Sequence, residues 1–305
     1  MKKLLNAGIC LSVLFSLAGA AHAATIGQKA GTTAGEFLML APGAKPAAMG
    51  EAYSGLADDI YSLYFNAAGL AKIKEQQVLF SHTGYYMDVN HEYVAYARPW
   101  KGGGIGASIT YLMTTFEKRA GDTDSPDSNG RIGDMAVTMG YGRSLAWGID
   151  GGFTLKYISS TLDTYSASSL AFDAGLQKAV TDKITAGCAV SNVGGALKYI
   201  NESVAIGNLV DIGLGSRNLC VKNLSLAIDY KMLLNASNNS INCGAQYLWN
   251  ITREWGIAPR AGFISNNATV TAGVGINYKG YQFDYALDSQ SDLGMSNRIS
   301  LGMKF

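Results

Sequence analysis

His82 and His91, with Asp88 and Glu92 beside them, hold the residue types most able to do chemistry in this chain. A turn between the two histidines would set them face to face across a hairpin, as a metal site or a hydrolase needs. Zinc takes three or four ligands, and a hydrolase takes a positioned nucleophile and an orienting group. No spacing around these residues supplies either. The loop Gly121-Asp122-Thr123-Asp124-Ser125-Pro126-Asp127-Ser128-Asn129-Gly130 has the acids of a calcium loop, but Pro126 takes a ligand position and no glutamate closes it. Gly102-Gly103-Gly104-Ile105-Gly106 lacks the strand–loop–helix setting of a phosphate loop. Cys10, Cys188, Cys220 and Cys243 match no metal spacing, and Asn235-Ala236-Ser237 carries no functional weight. The expectation is a protein with no catalytic residues, no metal and no cofactor, and therefore no enzyme.

The rest of the chain must then explain itself as architecture. Of 305 residues 37 are Gly and only 15% are charged, which disfavours long helices because each interior Gly costs about 1 kcal/mol relative to Ala. The net charge is +1, and it becomes −1 once Lys2 and Lys3 are removed with a leader. Neither value offers the basic patch that nucleic acid requires. Residues 1–23 read as that leader: Lys2 and Lys3, an apolar run from Leu4 to Ala20, and the cleavage triplet Ala21-His22-Ala23. No later stretch approaches the ~18 apolar residues of a membrane helix, so an exported chain is soluble or crosses a membrane as strands.

From Gln77 onward the dominant period is two, the period of a strand with two unlike faces. In Arg298–Phe305, Ile299, Leu301, Met303 and Phe305 share one face, and Arg298, Ser300, Gly302 and Lys304 the other. Leu224–Met232, Val270–Tyr278, Phe283–Leu287 and Met135–Tyr141 repeat the pattern. The whole run divides into about fourteen strands, mostly near the ~9–11 residues a tilted strand needs to span a bilayer. The connections alternate as well. Trp100–Gly102, Ala146–Trp147, Thr181–Asp182, Asn218–Lys222, Asn250–Trp255 and Lys279–Gly280 form a tight set. Thr83–Asn90, Phe116–Gly130, Asp163–Ala167, Gly194–Gly207, Leu234–Asn238 and Gln290–Ser296 form a longer set, broken only by Asn266–Asn267. Short turns on one rim and longer loops on the other characterise outer-membrane barrels. All four tryptophans (Trp100, Trp147, Trp249, Trp255) and Phe305 fall at the short-turn rim, as an interfacial aromatic girdle would. A soluble sandwich or propeller also alternates, but a sheet this large in water would have open edges to manage.

Between leader and strands lies Pro42–Ala71, which fits neither. Small residues crowd it, Pro46 opens a possible helix, Gly50, Gly55 and Gly69 interrupt it, and Asp58 and Asp59 precede Tyr61, Tyr64, Phe65 and Asn66. Alone it is a loosely helical linker; ahead of a barrel it is a plug.

Several motifs resemble one family. Ala57-Asp58-Asp59 ahead of Phe65-Asn66-Ala67-Ala68-Gly69-Leu70-Ala71 is similar to the ADD…NPAGLA signature of the PorV/PorQ (UPF0164) outer-membrane proteins, relatives of FadL-type barrels. The stretch Gly43–Asp59, and also Ser191–Tyr199, Arg260–Asn267, Tyr281–Leu287 and the closing Asp292–Phe305, resemble the family's segments in order. Ala67 stands where the family usually has Pro, Lys45 for its Arg, Glu51 for its second Gly, and Asn297 for a frequent His.

The resemblance implies an all-β fold: a transmembrane antiparallel barrel of fourteen strands with a partly helical N-terminal hatch in the lumen. The expected domains are a leader over 1–23, a hatch over 24–76 and a barrel over 77–305. Hatch residues would be Asp58, Asp59, Tyr61, Tyr64, Phe65, Asn66 and Gly69, with Asp58, Asp59 and Asn66 pairing to lumen groups such as Lys231, Arg298 or Lys304. Two functions follow in the outer membrane of a Gram-negative-type bacterium. The first is protein secretion of the type IX kind, with the loops Phe116–Gly130 and Gly194–Gly207 contacting cargo C-terminal domains. The alternative is transport of hydrophobic small molecules past the hatch aromatics Tyr61, Tyr64 and Phe65. A structural or narrow-pore barrel is the plainest reading.

Overall fold

The alternating segments pair in sequence order and close into a ring. The computed structural model describes residues 33–305 apart from 86–87, 123, 220, 235–237 and 291–293. The expected leader, the first residues of the expected hatch (24–32), Cys10, Cys220 and the Asn235-Ala236-Ser237 triplet lie outside the described residues.

Among the described residues fourteen antiparallel strands form the wall. They are β1 (Gln77–Gly84), β2 (Asn90–Trp100), β3 (Gly103–Lys118), β4 (Ser128–Ser144), β5 (Ile149–Leu162), β6 (Tyr165–Thr181) and β7 (Ile184–Val193). They continue as β8 (Leu209–Arg217), β9 (Leu224–Leu233), β10 (Asn238–Tyr247, prolonged by Trp249–Asn250), β11 (Trp255–Ile264), β12 (Thr269–Tyr278), β13 (Tyr281–Gln290) and β14 (Gly294–Lys304). Each pairs with its neighbour, and β14 pairs with β1 from Gln77 opposite Lys304 to Gly84 opposite Asn297, so no edge is left open. Closure is what lets strands live in lipid, because every backbone donor and acceptor is satisfied within the wall.

The two faces of the wall differ as the period of two predicts. Phe80, Val94, Ile109, Met139, Phe153, Leu170, Phe172, Leu214 and Leu301 point outward and are exposed. Their inward neighbours, such as Ser81, Thr138, Lys156, Asp173, Arg260, Asp284, Arg298 and Ser300, are buried. Apolar outside and polar inside inverts the pattern of a water-soluble protein, where an exposed apolar patch exceeds a few hundred Å² only at an interaction surface. It is the pattern of a barrel whose outer face meets lipid. Trp100, Trp147, Trp249, Trp255 and Phe305 are all exposed at the short-turn rim.

Two of the longer connections differ from their expected form. Pairing of β3 with β4 runs on to Lys118 opposite Ser128, so the expected Phe116–Gly130 loop shrinks to a tip of nine residues, 119–127. Cross-strand pairing of Phe116 with Gly130 and of Glu117 with Asn129 extends the hairpin. The Gly194–Gly207 connection is no free loop. Ala196–Lys198 and Ser203–Ala205 form a small hairpin, and Leu197 and Ile206 are wholly buried against Phe37, Leu38, Ile158 and Ala171. Two apolar side chains turn it into the lumen.

Candidate functional site

The lumen is filled by residues 34–73, and the barrel wall is shaped to receive them. This inner segment is a chain of short turns: 3-10 helices at Glu36–Met39 and Ala67–Lys72, and single α-turns at Ala44–Ala47 and Ser62–Phe65. Gly43 and Gly50 take positive φ values of 91° and 61° on either side of the turn at Ala44–Ala47, which begins two residues before Pro46 and so ahead of the expected start. Asn66 is extended and accepts from the Ala68 N–H at 3.1 Å, capping the last turn.

Inward-facing glycines line the wall at the level of this segment. A side-chain carbon at Gly104, Gly142 or Gly152 would overlap the carbonyls of Leu70 or Ala67; at Gly187, Gly244 or Gly262 it would overlap Ser54, Met49 or Gly50. Backbone therefore packs directly on backbone around much of the barrel. That contact is one structural use of the high glycine content, and the inward register of these glycines was the sequence signal for it. Gly69 does the same inside the segment, lying against Ser62 and the Ala57 carbonyl.

Side chains hold the segment where glycines admit it. The Tyr53 and Ser54 N–H groups donate to Asp229 Oδ2 at 2.6 and 2.8 Å. The Ala44 N–H donates to Ser300 Oγ at 2.8 Å, the Ile60 N–H to Gln77 Oε1 at 3.0 Å, and Asn242 Nδ2 to the Gly50 carbonyl at 2.7 Å. Asn66 Nδ2 donates toward the carbonyls of Ser54 and Leu176, each at 3.2 Å, and of Cys188 at 3.4 Å. Among the described residues, the one backbone-to-backbone hydrogen bond from residues 34–73 to the rest of the chain is Ala34 N–H to the Ala205 carbonyl, 3.0 Å.

The charges pair differently from the expectation. Asp58 meets Arg217 at 2.9 Å, and Arg217 also donates to the Leu56 carbonyl. Asp59 is enclosed within the segment, accepting from Lys45 at 2.7 Å and from the Tyr53 hydroxyl at 2.8 Å. Lys231 and Arg298 converge instead on Glu51, at 3.5 and 3.6 Å, and Arg298 is fixed by Asp288 at 2.7 Å. Lys304, at the open mouth, touches neither acid but contributes to the field at Asp59. The reason is height in the barrel: Arg298 lies six residues up its strand from Lys304, and Glu51 is the segment's acid at that level. Glu51, Lys45, Arg217 and Asp288 were thus missed, although the strand period already placed Asp288 on the inner face.

Burial pushes the Asp59 carboxyl upward, but Lys45, Lys304 and the Tyr53 hydroxyl outweigh it and its pKa lies below the ordinary 3.8. Burial lowers Lys45 in the same way, and Asp59 with Asp58 more than compensates, so it lies above 10.5. The Tyr53, Tyr61 and Tyr64 hydroxyls are pushed well above 10.0, chiefly by burial. The aromatics form one stack through the segment: Tyr53 to Phe65 at 5.3 Å and Tyr64 to Phe65 at 4.9 Å between centroids. Tyr64 donates to the Leu38 carbonyl at 2.9 Å.

His82 and His91 do not meet. His82 lies opposite Glu92 across β1 and β2, faces outward, and approaches Glu92 Oε1 at 2.6 Å. His91 faces the lumen, wholly buried, with both ring nitrogens unbonded. Around it the Thr83 and Tyr85 hydroxyls, Arg298 Nε and Asp288 Oδ1 are likewise unbonded. Among the described residues no group of three or more His, Cys, Asp or Glu could hold a metal ion.

The closed fourteen-stranded barrel has a FadL-like fold. The toluene transporter TbuX of Ralstonia pickettii has the same fold at 13% identity, with a TM-score of 0.60 over 86% of this chain and 98% of that one. The toluene transporter TodX of Pseudomonas putida gives 10%, 0.61, 86% and 98%, and a FadL homologue of Pseudomonas aeruginosa 10%, 0.56, 85% and 96%. Residues 12–157 match UPF0164, an uncharacterised protein family, and that stretch holds the Gly43–Asp59 and Phe65–Ala71 motifs. The sequence matches no curated protein.

Proposed function

We propose that this chain is an outer-membrane transporter for small hydrophobic solutes, exported by a leader over residues 1–23, with residues 24–76 as a hatch in a barrel of residues 77–305. One observation carries the reading. The inner segment is seated by side-chain latches and close backbone contact, not stitched into the sheet, so it can shift without opening the wall. Asp58, Asp59, Asn66 and Gly69 hold the hatch in shape, and Tyr61, Tyr64 and Phe65, packed inside it, meet a passing solute once the hatch shifts. Lys231 and Arg298 anchor the hatch through Glu51. The shared fold of barrels described as toluene transporters supports a monoaromatic or similar solute.

The secretion reading rests on the resemblance and on outer loops as a cargo surface. The longer of those loops buries Leu197 and Ile206 in the lumen, which leaves the 119–127 tip as the surface for a cargo C-terminal domain. Transport is the better-supported function.

The test is uptake of a labelled monoaromatic hydrocarbon by cells expressing the chain, together with single-channel conductance of the purified protein in lipid. Faster uptake than in cells without the chain, and conductance that rises sharply on deletion of residues 42–71, are expected. Unchanged uptake would sink the transport reading, and unchanged conductance the hatch.

A further inference from the structure

Among the described residues, two hollows of the lipid-facing wall stand out by their apolar lining. One of about 530 Å³ crosses β4 to β8, and another of about 470 Å³ crosses β1 and β11 to β14. The first exists because three outward positions are small, Gly151, Ala174 and Cys188, between the larger Phe153 and Leu176. Its lining is almost wholly apolar, and its size falls within the range of small-molecule sites.

The two hollows differ in charge at their short-turn ends. Arg143 lies opposite Gly151, which lies opposite Leu176, and Lys178 stands two residues further along β6 toward that rim. Both cations are exposed on the outer face, and neither has an acidic partner among the described residues. They stand two strand spacings across and two residues along the wall from one another, about 12 Å between backbones, which two long side chains can close around one anion. At the second hollow Lys279 is engaged by Glu254 at 3.3 Å and lies over the Tyr278 ring.

An apolar trough ending in two free cations at the aromatic rim has the polarity of a glycerophospholipid: chain toward mid-membrane, phosphate at the interface. We infer that this hollow is a specific site for one phospholipid of the leaflet at the short-turn rim, with an acyl chain over Gly151, Ala174 and Cys188 and its phosphate between Arg143 and Lys178. The inference needs the barrel to sit in a membrane and is independent of what crosses the lumen.

Native mass spectrometry of the full chain in detergent, with phosphatidylglycerol added, tests it. One retained lipid is expected on the unaltered barrel. Arg143→Gln with Lys178→Gln should weaken retention about thirtyfold, since each basic group near a charged lipid is worth about 1 kcal/mol. Ala174→Phe, which fills the trough, should abolish it, while Lys279→Gln should leave it unchanged. Heat-modifiable gel migration checks that every variant is a folded barrel. Absence of retained lipid on the unaltered protein, equal retention by the double variant, or retention of uncharged diacylglycerol as strong as that of phosphatidylglycerol overturns the inference.

Discussion

The wall and the segment inside it are stabilised by opposite means. The wall is a continuous ladder in which β1 through β14 satisfy one another's backbones, so its integrity is spread over the whole ring. The inner segment makes few backbone bonds outside itself and depends on a limited set of side chains meeting inward glycines and buried charges. A cooperative ring around a separately latched core is what a gated barrel needs, because the core can be disturbed while the ring stays closed.

The largest expected effect falls on the wall. Arg260 and Asp284 form an ion pair at 2.7 Å with both side chains almost wholly buried. Asp284→Ala leaves the guanidinium unpaired and should cost about 3–5 kcal/mol. Urea unfolding in detergent, followed by tryptophan fluorescence, should show it as a fall in barrel stability. If stability is unchanged and only conductance rises, Arg260 serves the segment and the division between the two regions fails.

The next effect is confined to the segment and depends on pH. Asp59 is stabilised in its charged form when folded, so its contribution is fully present above its ordinary 3.8 and is lost as pH falls through its lowered folded value. Lys45, raised above 10.5, contributes below that value and loses its share as pH climbs through the raised one. Seating of the segment should therefore be flat between those limits and loosen beyond either, by roughly 1.5–3 kcal/mol for the charge-assisted bond. Protease accessibility of the segment against pH measures this, and Asp59→Asn should remove the acid limb. An acid limb that survives in Asp59→Asn would falsify the assignment.

Gly152→Val tests the glycine contact directly. Its side chain would overlap the Ala67 carbonyl, and overpacking of this kind costs about 1–3 kcal/mol. Conductance should rise while urea stability of the wall stays put. Ala174→Val, on the outer face of β6, should change neither.

How far each region could be read from sequence follows the same division. The wall was legible because its determinants are local: Ile299, Leu301 and Met303 alternate with Arg298, Ser300 and Gly302, and that pattern alone fixes which face meets lipid. The ends of β3 and β4 run past the expected loop because their pairing continues from Phe116 opposite Gly130 to Lys118 opposite Ser128. The segment was legible as something unlike a strand, but its contacts are set by height in the barrel. No spacing in the chain states that Glu51, and not Asp58 or Asp59, stands level with Lys231 and Arg298. The same holds for Leu197 and Ile206, whose burial depends on Phe37 and Leu38 being present in the lumen.

The smallest effect separates local from long-range roles at Asn66. Its Oδ1 caps the turn at Ala68, while its Nδ2 reaches the carbonyls of Leu176 and Cys188 on β6 and β7. Asn66→Ala loses both and should loosen the segment by about 1 kcal/mol. Asp is as good a cap as Asn, so Asn66→Asp restores the first function and destroys the second, since a carboxylate cannot donate to a carbonyl. If Asn66→Asp behaves like the unaltered protein in conductance and protease accessibility, Asn66 only shapes its own turn. Asn66→Asp should instead be the worse of the two variants, because it sets a charge against two wall carbonyls that Asn satisfies.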